Sequence, residues 1–371
     1  MARPPFRADQ VGSLLRPPAL HIARARAQEG EISPHDLWEI ENLAIREVVA
    51  LQEAAGLQGI TDGEFRRAFW HVDFLTGFEG IEWTQSQYAV SFRGDGGARA
   101  ETRSMLSVAR KIRRTKPVML DHFEFLKSVT KRTPKFCMPS PAYLHMRGGR
   151  RVVSETAYPY MEQFWEDLIQ AYRAQLDDLA KAGCTYAQLD DVSFACLCDP
   201  QIREQIRKDG EDPEKLPAKY VEVINRILAG RPEGLTVTMH TCRGNHQSMW
   251  MAEGAYDAVA EALFSSIEVD GLFLEYDQEE RTGGFEPLRF VRKGLRIVLG
   301  LISSKVPLLE SKDALKRRID QAAKYVPLED LCISPQCGFA SSAAGNLLTQ
   351  DDQRRKLELA VTVANEVWGS L

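Results

Sequence analysis

Short apolar runs, several of them β-branched, alternate along the chain with amphipathic stretches of helical period. The runs at 7–13 (RADQVGS), 59–64 (GITDGE), 135–140 (KFCMPS), 186–191 (YAQLDD), 236–242 (TVTMHTC), 271–277 (GLFLEYD), 296–303 (RIVLGLIS) and 332–337 (CISPQC) read as strands. Between them, 35–55, 159–182, 215–229, 251–265, 311–325 and 351–368 read as helices. The first places Leu37, Ile40, Leu43, Ala44, Val48 and Leu51 on one face and then stops at a glycine. Eight such alternations predict an α/β fold of the closed parallel kind: a (β/α)8 TIM barrel forming a single domain over 1–371. An open dinucleotide-binding sheet has little support, because no G-x-G-x-x-G follows the first strand. The segment from about 74 to 116 is too long for a connection; it holds FRGDGGARAE (92–101) and predicts an excursion after the second strand.

Composition narrows the class. Of 371 residues, 44% are hydrophobic, enough for a large core. A formal net charge of −5 carries no basic footprint for nucleic acid, and the one dense basic run, ARKIRRTK (109–116), reads as a solvated surface segment. The N-terminal stretch lacks an apolar core of signal-peptide length, and no run approaches the roughly 20 apolar residues of a membrane span. A cytoplasmic protein with no membrane partner is expected. The seven cysteines follow no disulfide framework, so they read as thiols, apolar filler or metal ligands.

Barrel enzymes of this kind place their chemistry at the C-terminal ends of the strands. The predicted ends carry Gly12 and Ser13; Asp62 and Glu64; Asp190 and Asp191; His240 and Cys242; Glu275 and Asp277; and Cys337. Residues two apart on a strand face the same side, so His240 and Cys242 can meet one ion. Glu275 and Cys337 can complete a tetrahedral zinc site of mixed N, S and O donors. The plainer alternative is a hydrogen-bonded core histidine with two buried apolar thiols. Cys196 and Cys198 form a second, histidine-free pair, read as packing, and His71, His145 and His246 rank below His240 as ligands. Two thiolates and a carboxylate outweigh a divalent charge, so such a zinc is poorly suited to acidifying water. It is better suited to keeping a substrate thiol as a nucleophilic thiolate.

The motifs MHTCRGN, GLFLEYD and SPQCGF resemble the zinc-site segments of cobalamin-independent methionine synthase. VGSLLRP, ITDGEFRR and AQLDD resemble its amino-acid-binding segments, in the family's order, from residue 11 to about 345. The likeness is to the catalytic C-terminal half, and closest to a short, single-barrel branch. It implies His240, Cys242, Glu275 and Cys337 as zinc ligands. It also implies Gly12 and Ser13 as the binders of the amino acid's carboxylate, and Glu64 and Asp190 as catalytic-site acids that hold its ammonium group. The implied activity is a zinc-dependent methyltransferase of methionine biosynthesis, acting on a small thiol, homocysteine, with a methyl donor.

This sequence departs from the family in three places. The double-barrel members carry an N-terminal half with no counterpart here, which helps bind the folate's tail. The donor is therefore open between a methyl-carrying folate, a corrinoid protein and a small sulfonium compound. The family's proton-transferring histidine after strand seven aligns with Ile302, beside Ser303, Ser304 and Lys305. The family's Asp-Glu pair reads Asp190-Asp191. Three other readings stand beside the first. One is alkyl transfer to another thiol, as in the epoxide–coenzyme M transferases. Another is a metal-free uroporphyrinogen decarboxylase-like site using Arg16, Arg66, Arg67 and Arg243. The last is a non-catalytic carrier-binding protein. A homo-oligomer is neither required nor excluded.

Overall fold

A computed structural model of the chain describes residues 3–94, 97 and 99–369. Of the FRGDGGARAE stretch, Asp95, Gly96 and Ala98 lie outside the described residues, as do Met1, Ala2, Ser370 and Leu371. The strands among the described residues are β1 (Gly59–Ile60), β2 (Glu79–Arg93), β3 (Arg99–Arg113), β4 (Thr133–Pro139), β5 (Tyr186–Asp191), β6 (Thr236–Thr241), β7 (Gly271–Glu275), β8 (Arg296–Ile302) and β9 (Leu331–Pro335). Seven of them form one parallel, curled sheet in the order β1-β4-β5-β6-β7-β8-β9. Consecutive strands lie side by side, as helical crossovers demand. Strands β5 and β7 are buried along their whole length, the signature of a sheet covered on both faces.

The expected eighth strand, 7–13, does not form. It makes one parallel bridge, Ala8 to Ile333, with the Asp9 N–H on the Ile333 carbonyl at 3.1 Å. Beyond that point side chains replace the ladder. The Lys135 ammonium donates to the Gln10 carbonyl at 2.5 Å, the Cys137 thiol and Gln188 amide to the Val11 carbonyl, and the Thr61 hydroxyl to the Gly12 carbonyl at 2.6 Å. Gly12, at φ +146°, turns the chain where a Cβ would lie 2.7 Å from Cys137 Sγ. The Leu14 N–H then reaches the Gly63 carbonyl, just past β1, so the segment spans the gap between β9 and β1 without being a strand of either. Buried backbone groups must find partners, and here the partners come from the sheet's interior side chains. Asp9 anchors the arrangement. Its carboxylate pairs with Lys135 at 3.2 Å and accepts from the Tyr186 hydroxyl and the Gln10 N–H, all fully buried or nearly so.

The helices follow their sequence signals. Ser33 and Asp36 form a capping box at the start of Pro34–Ala55, and Gly56 ends it in the left-handed conformation. The buried face of that helix differs from the expected one, since Leu43 is 60% exposed. The burial runs through Glu41, Ile45, Val48, Gln52 and Ala55, a true 4-3-4-3 spacing, because Glu41 and Asn42 turn inward to hold Arg66. No helix among the described residues is long and apolar enough to cross a membrane.

The long segment after β1 is an antiparallel hairpin, β2 with β3. Its end is fastened to the loop after β6: Arg93 and Trp250 exchange backbone hydrogen bonds at 2.7 and 2.8 Å, and the Arg93 guanidinium pairs with Asp199 and Glu253. The hairpin therefore leans over the C-terminal rim, and Phe92 reaches the cavity there.

Replacing Lys135 by Met leaves the Asp9 carboxylate buried without its ammonium. Denaturant unfolding should show a loss of about 3–5 kcal/mol.

Candidate metal centre

Strand β6 places His240 beside Asp190 of β5 in direct register. Cys242 follows one residue after the strand, its N–H on the Asp191 carbonyl at 2.6 Å. Glu275 is the last residue of β7, and Cys337 lies two residues beyond β9. Neighbouring strand ends bring these side chains together: donor atoms of His240, Cys242, Glu275 and Cys337 all lie within 4.8 Å of one another, every one buried. The two sulfurs are 3.3 Å apart.

Several polar atoms of the set have no protein partner. Both ring nitrogens of His240 and Oε2 of Glu275 are buried and make no hydrogen bond. Buried polar atoms left so are costly, and a divalent cation would answer one ring nitrogen of His240 together with Glu275 Oε2. Glu275 Oε1 is occupied by the Arg243 N–H at 2.8 Å, and Cys242 Sγ by the Gly244 N–H at 3.3 Å, contacts that fix both side chains from behind. The hydrogen bond from Cys242 holds Cys337 well below the usual thiol range, against burial and with help from His240. The same bond, and burial, push Cys242 well above it. Burial disfavours the His240 imidazolium, yet the negative charge of Cys337, Asp190 and Glu275 wins and raises it. The residues fit a zinc ion by donor type, donor number and unmet bonding.

A second cluster adjoins the first. Glu64, Cys137 and Asp190 have polar atoms within the same 4.8 Å limit of one another. Glu64 sits at φ +59°, a conformation braced by Asp62 Oδ1, which accepts the Glu64 N–H at 2.9 Å. Burial pushes the Glu64 carboxyl up to about 7; Arg67 and Arg16 oppose the rise and Asp190 adds to it. Burial likewise pushes Asp190 up to about 6, against His240 and its hydrogen bond from Gln188. The Cys137 thiol is pushed well up by burial and donates to Val11, so it stands as a neutral wall.

One cavity joins the two clusters. Its lining includes Ser13, Glu64, Asp190, His240, Cys242 and Cys337, with Phe69, Trp70, Phe92 and Tyr143 as an aromatic wall. Gly12 is beneath this surface and shapes it, while Ser13 faces it. A Cβ on Gly338 would lie 2.0 Å from Ser13 Oγ, so glycine is required where the Cys337 loop passes that hydroxyl. Other expected candidates do different work. Asp191 accepts the Phe194 N–H, Asp277 pairs with Arg281, and His145 bonds Tyr220 and Glu211. Cys196 and Cys198 join no candidate metal group among the described residues. His71 and His246 line the cavity, and burial holds His71 well below its usual value. Ile302 is fully buried and does not line the cavity. Lys135 and Cys137 carry no family motif, and Arg67 and Gln188 stand within ITDGEFRR and AQLDD without a role there in holding the site; sequence reasoning missed what all four do. Lys and Gln inside strands read as surface positions until the interior they face is known.

Comparisons with known proteins give the family. The family model described as "Cobalamin-independent synthase, Catalytic domain" matches residues 6–366. The chain is 45% identical over 366 residues to the uncharacterized protein YxjH of Bacillus subtilis, covering 98% of this chain and 95% of that protein. It is 24% identical over 342 residues to the 5-methyltetrahydropteroyltriglutamate–homocysteine methyltransferase of Thermotoga petrophila, covering 91% of this chain but 42% of that enzyme. A crystal structure of a putative vitamin-B12-independent methionine synthase from Listeria monocytogenes superposes with a TM-score of 0.79 at 37% identity, each chain covered in full. A Shewanella B12-independent methionine synthase structure, at 16% identity and TM-score 0.70 with 98% of both chains covered, shares the fold. With its catalytic-domain match running nearly end to end, the chain belongs to the cobalamin-independent methionine synthase family.

Proposed function

We propose that the chain is a zinc-dependent methyltransferase whose acceptor is the sulfur of a small amino thiol, homocysteine giving methionine. The observation that carries this reading is the shared cavity, in which a thiol-rich candidate metal set and two buried carboxylates face the same space. Zinc held by His240, Cys242, Glu275 and Cys337 would supply the positive charge that keeps a substrate sulfur ionised and nucleophilic near neutral pH. Glu64 and Asp190 take the ammonium group, and that cation completes the ionisation their burial opposes. Ser13 offers its hydroxyl to the carboxylate. The aromatic wall of Phe69, Trp70, Phe92 and Tyr143 keeps water from the reacting atoms. The sulfur attacks the methyl carbon in line; the new C–S bond forms as the donor's bond to that carbon breaks, its electron pair leaving with the donor. Nothing at Ile302 delivers a proton to the leaving group, which favours a donor that departs without one or takes its proton elsewhere.

Two competing readings lose support at the same site. The four arginines read for a tetrapyrrole's propionates do not line the cavity, which has one arginine, Arg147, among its described lining residues. Arg16 donates to the Ala340 and Glu64 carbonyls, Arg66 pairs with Glu41 and covers the Trp38 ring, Arg67 donates to the Cys137 carbonyl, and Arg243 covers Tyr256. A sulfonate thiol such as coenzyme M would bring a second anion toward Glu64 and Asp190 and gains nothing from either.

Three outcomes test the proposal. Purified protein should contain equimolar zinc by elemental analysis, and Cys337→Ser should lose it; active protein free of metal would refute the reading. Zinc-loaded protein given homocysteine and a panel of labelled methyl donors should form labelled methionine with at least one of them. Glu64→Gln should weaken homocysteine binding about a hundredfold while stabilising the ligand-free fold at high pH. The folded state holds this proton to about pH 7, whereas an ordinary glutamate releases it near 4.5. The group's contribution to stability therefore falls as pH rises from 4.5 to 7 and stays low above, so the rise in Tm should be present at pH 8 and absent at pH 4.5.

A further inference from the structure

The candidate ligand set carries more negative charge than a divalent ion neutralises, and among the described residues the buried Lys305 ammonium beside it makes no hydrogen bond. Lys305 follows β8, the strand between β7, which ends in Glu275, and β9, which leads to Cys337. The loop bearing it is fixed from both sides. The Ser304 N–H meets Gln336 Oε1 at 2.6 Å, the Ser304 hydroxyl donates to the Gly338 carbonyl at 3.1 Å, and the Lys305 N–H meets Ser303 Oγ. Lys305 is 6% exposed, and its ammonium makes no hydrogen bond. Of the other buried cations near Glu275, Arg281 pairs with Asp277 at 2.5 Å, while the Arg243 guanidinium makes no hydrogen bond but lies over the Tyr256 ring at 4.6 Å, which takes up its charge. Lys305 is not among the residues lining the cavity, so it does not touch a substrate there.

A buried ammonium without a carboxylate partner is tolerated only where negative charge stands nearby. The loop that carries Lys305 is bonded to Gln336 and Gly338, the residues on either side of Cys337, so the buried ammonium belongs to the border of the ligand set. With a divalent ion bound, two thiolates and one carboxylate leave the centre one unit negative, and one ammonium brings it to zero. A neutral centre accepts an incoming anionic sulfur without repulsion, whereas a negative one resists it.

We propose that Lys305 is a positioning residue of this centre: it is the counter-charge of the Cys242–Glu275–Cys337 ligand set, and it favours acceptor sulfurs that bind as anions over neutral analogues. This deepens, and rests on, the reading of the site as a zinc and amino-thiol centre.

Two measurements decide it. In the first, homocysteine and homoserine, which carries a hydroxyl in place of the thiol, are titrated calorimetrically onto the zinc-loaded protein. Lys305→Met should weaken homocysteine binding about tenfold or more with homoserine changed less than about twofold, and Lys305→Arg should restore most of the homocysteine affinity. Equal loss for both ligands, or no loss, would overturn the inference. The second needs neither metal nor substrate. A thermal-unfolding cycle of Lys305→Met, Glu275→Gln and the double variant should show a double loss smaller than the sum of the two single losses, since each single change strands the other's charge. Strict additivity would overturn the counter-charge role. A wild-type protein that binds no homocysteine would sink the acceptor reading instead, and the cycle would still decide the role of Lys305.

Discussion

The carbonyls of residues 10–12 accept from Lys135, Cys137, Gln188 and Thr61, and this side-chain pairing governs how the rim is built. An ordinary strand there would have carried its ladder past Val11 and fixed the following residues to the pleat. With the ladder given up, the chain turns at Gly12 and delivers Ser13 to the cavity, while the same interior side chains stay held by the segment they hold. The Asp9–Lys135 pair makes this possible in an interior where neither charge could stand alone.

The site above it depends on crowding like charges in a dry place. Glu64 and Asp190 are buried together, and each is pushed toward its neutral form. On the next strands Cys242 and Glu275 are likewise pushed toward their neutral forms, while Cys337 is held toward its charged one. Such a constellation is unfavourable by itself and becomes favourable when cations arrive: a metal on one side, an ammonium group on the other. The binding preference of the cavity is therefore written in its strain. The proposed amino thiol, with one cation and one ionisable sulfur, would relieve both halves.

Much of this was legible in the sequence, for identifiable reasons. Strand-end residues announce themselves because apolar runs stop abruptly at charged or sulfur-bearing positions, as at Asp190, His240 and Glu275. Helix limits were readable where capping chemistry is local, as at Ser33 and Gly56. Residues 7–13 misled because their alternation mimics a strand, while the reason they are not one lies in side chains more than a hundred positions away. Leu43 misled because hydrophobic period alone cannot foresee that Glu41 and Asn42 turn inward toward Arg66. Lys135 was silent, and Gln188 went unread within AQLDD, for a related reason. A polar residue within an apolar run has no meaning until the opposite wall is known.

Gly338 joins these elements in one further way. It follows Cys337 directly, its missing Cβ makes room for the Ser13 hydroxyl, and the next residue, Phe339, gives its N–H to the Ser13 carbonyl at 2.8 Å. The loop that carries a candidate metal ligand is thus in bonded contact with the segment that brings Ser13 to the cavity. Two ligands that share a rigid contact are thermodynamically linked, and the linkage is reciprocal. Whatever fixes the cysteine loop therefore bears on the pose of the serine, and what fixes the serine bears equally on the loop: the two halves of the cavity answer to each other through one glycine.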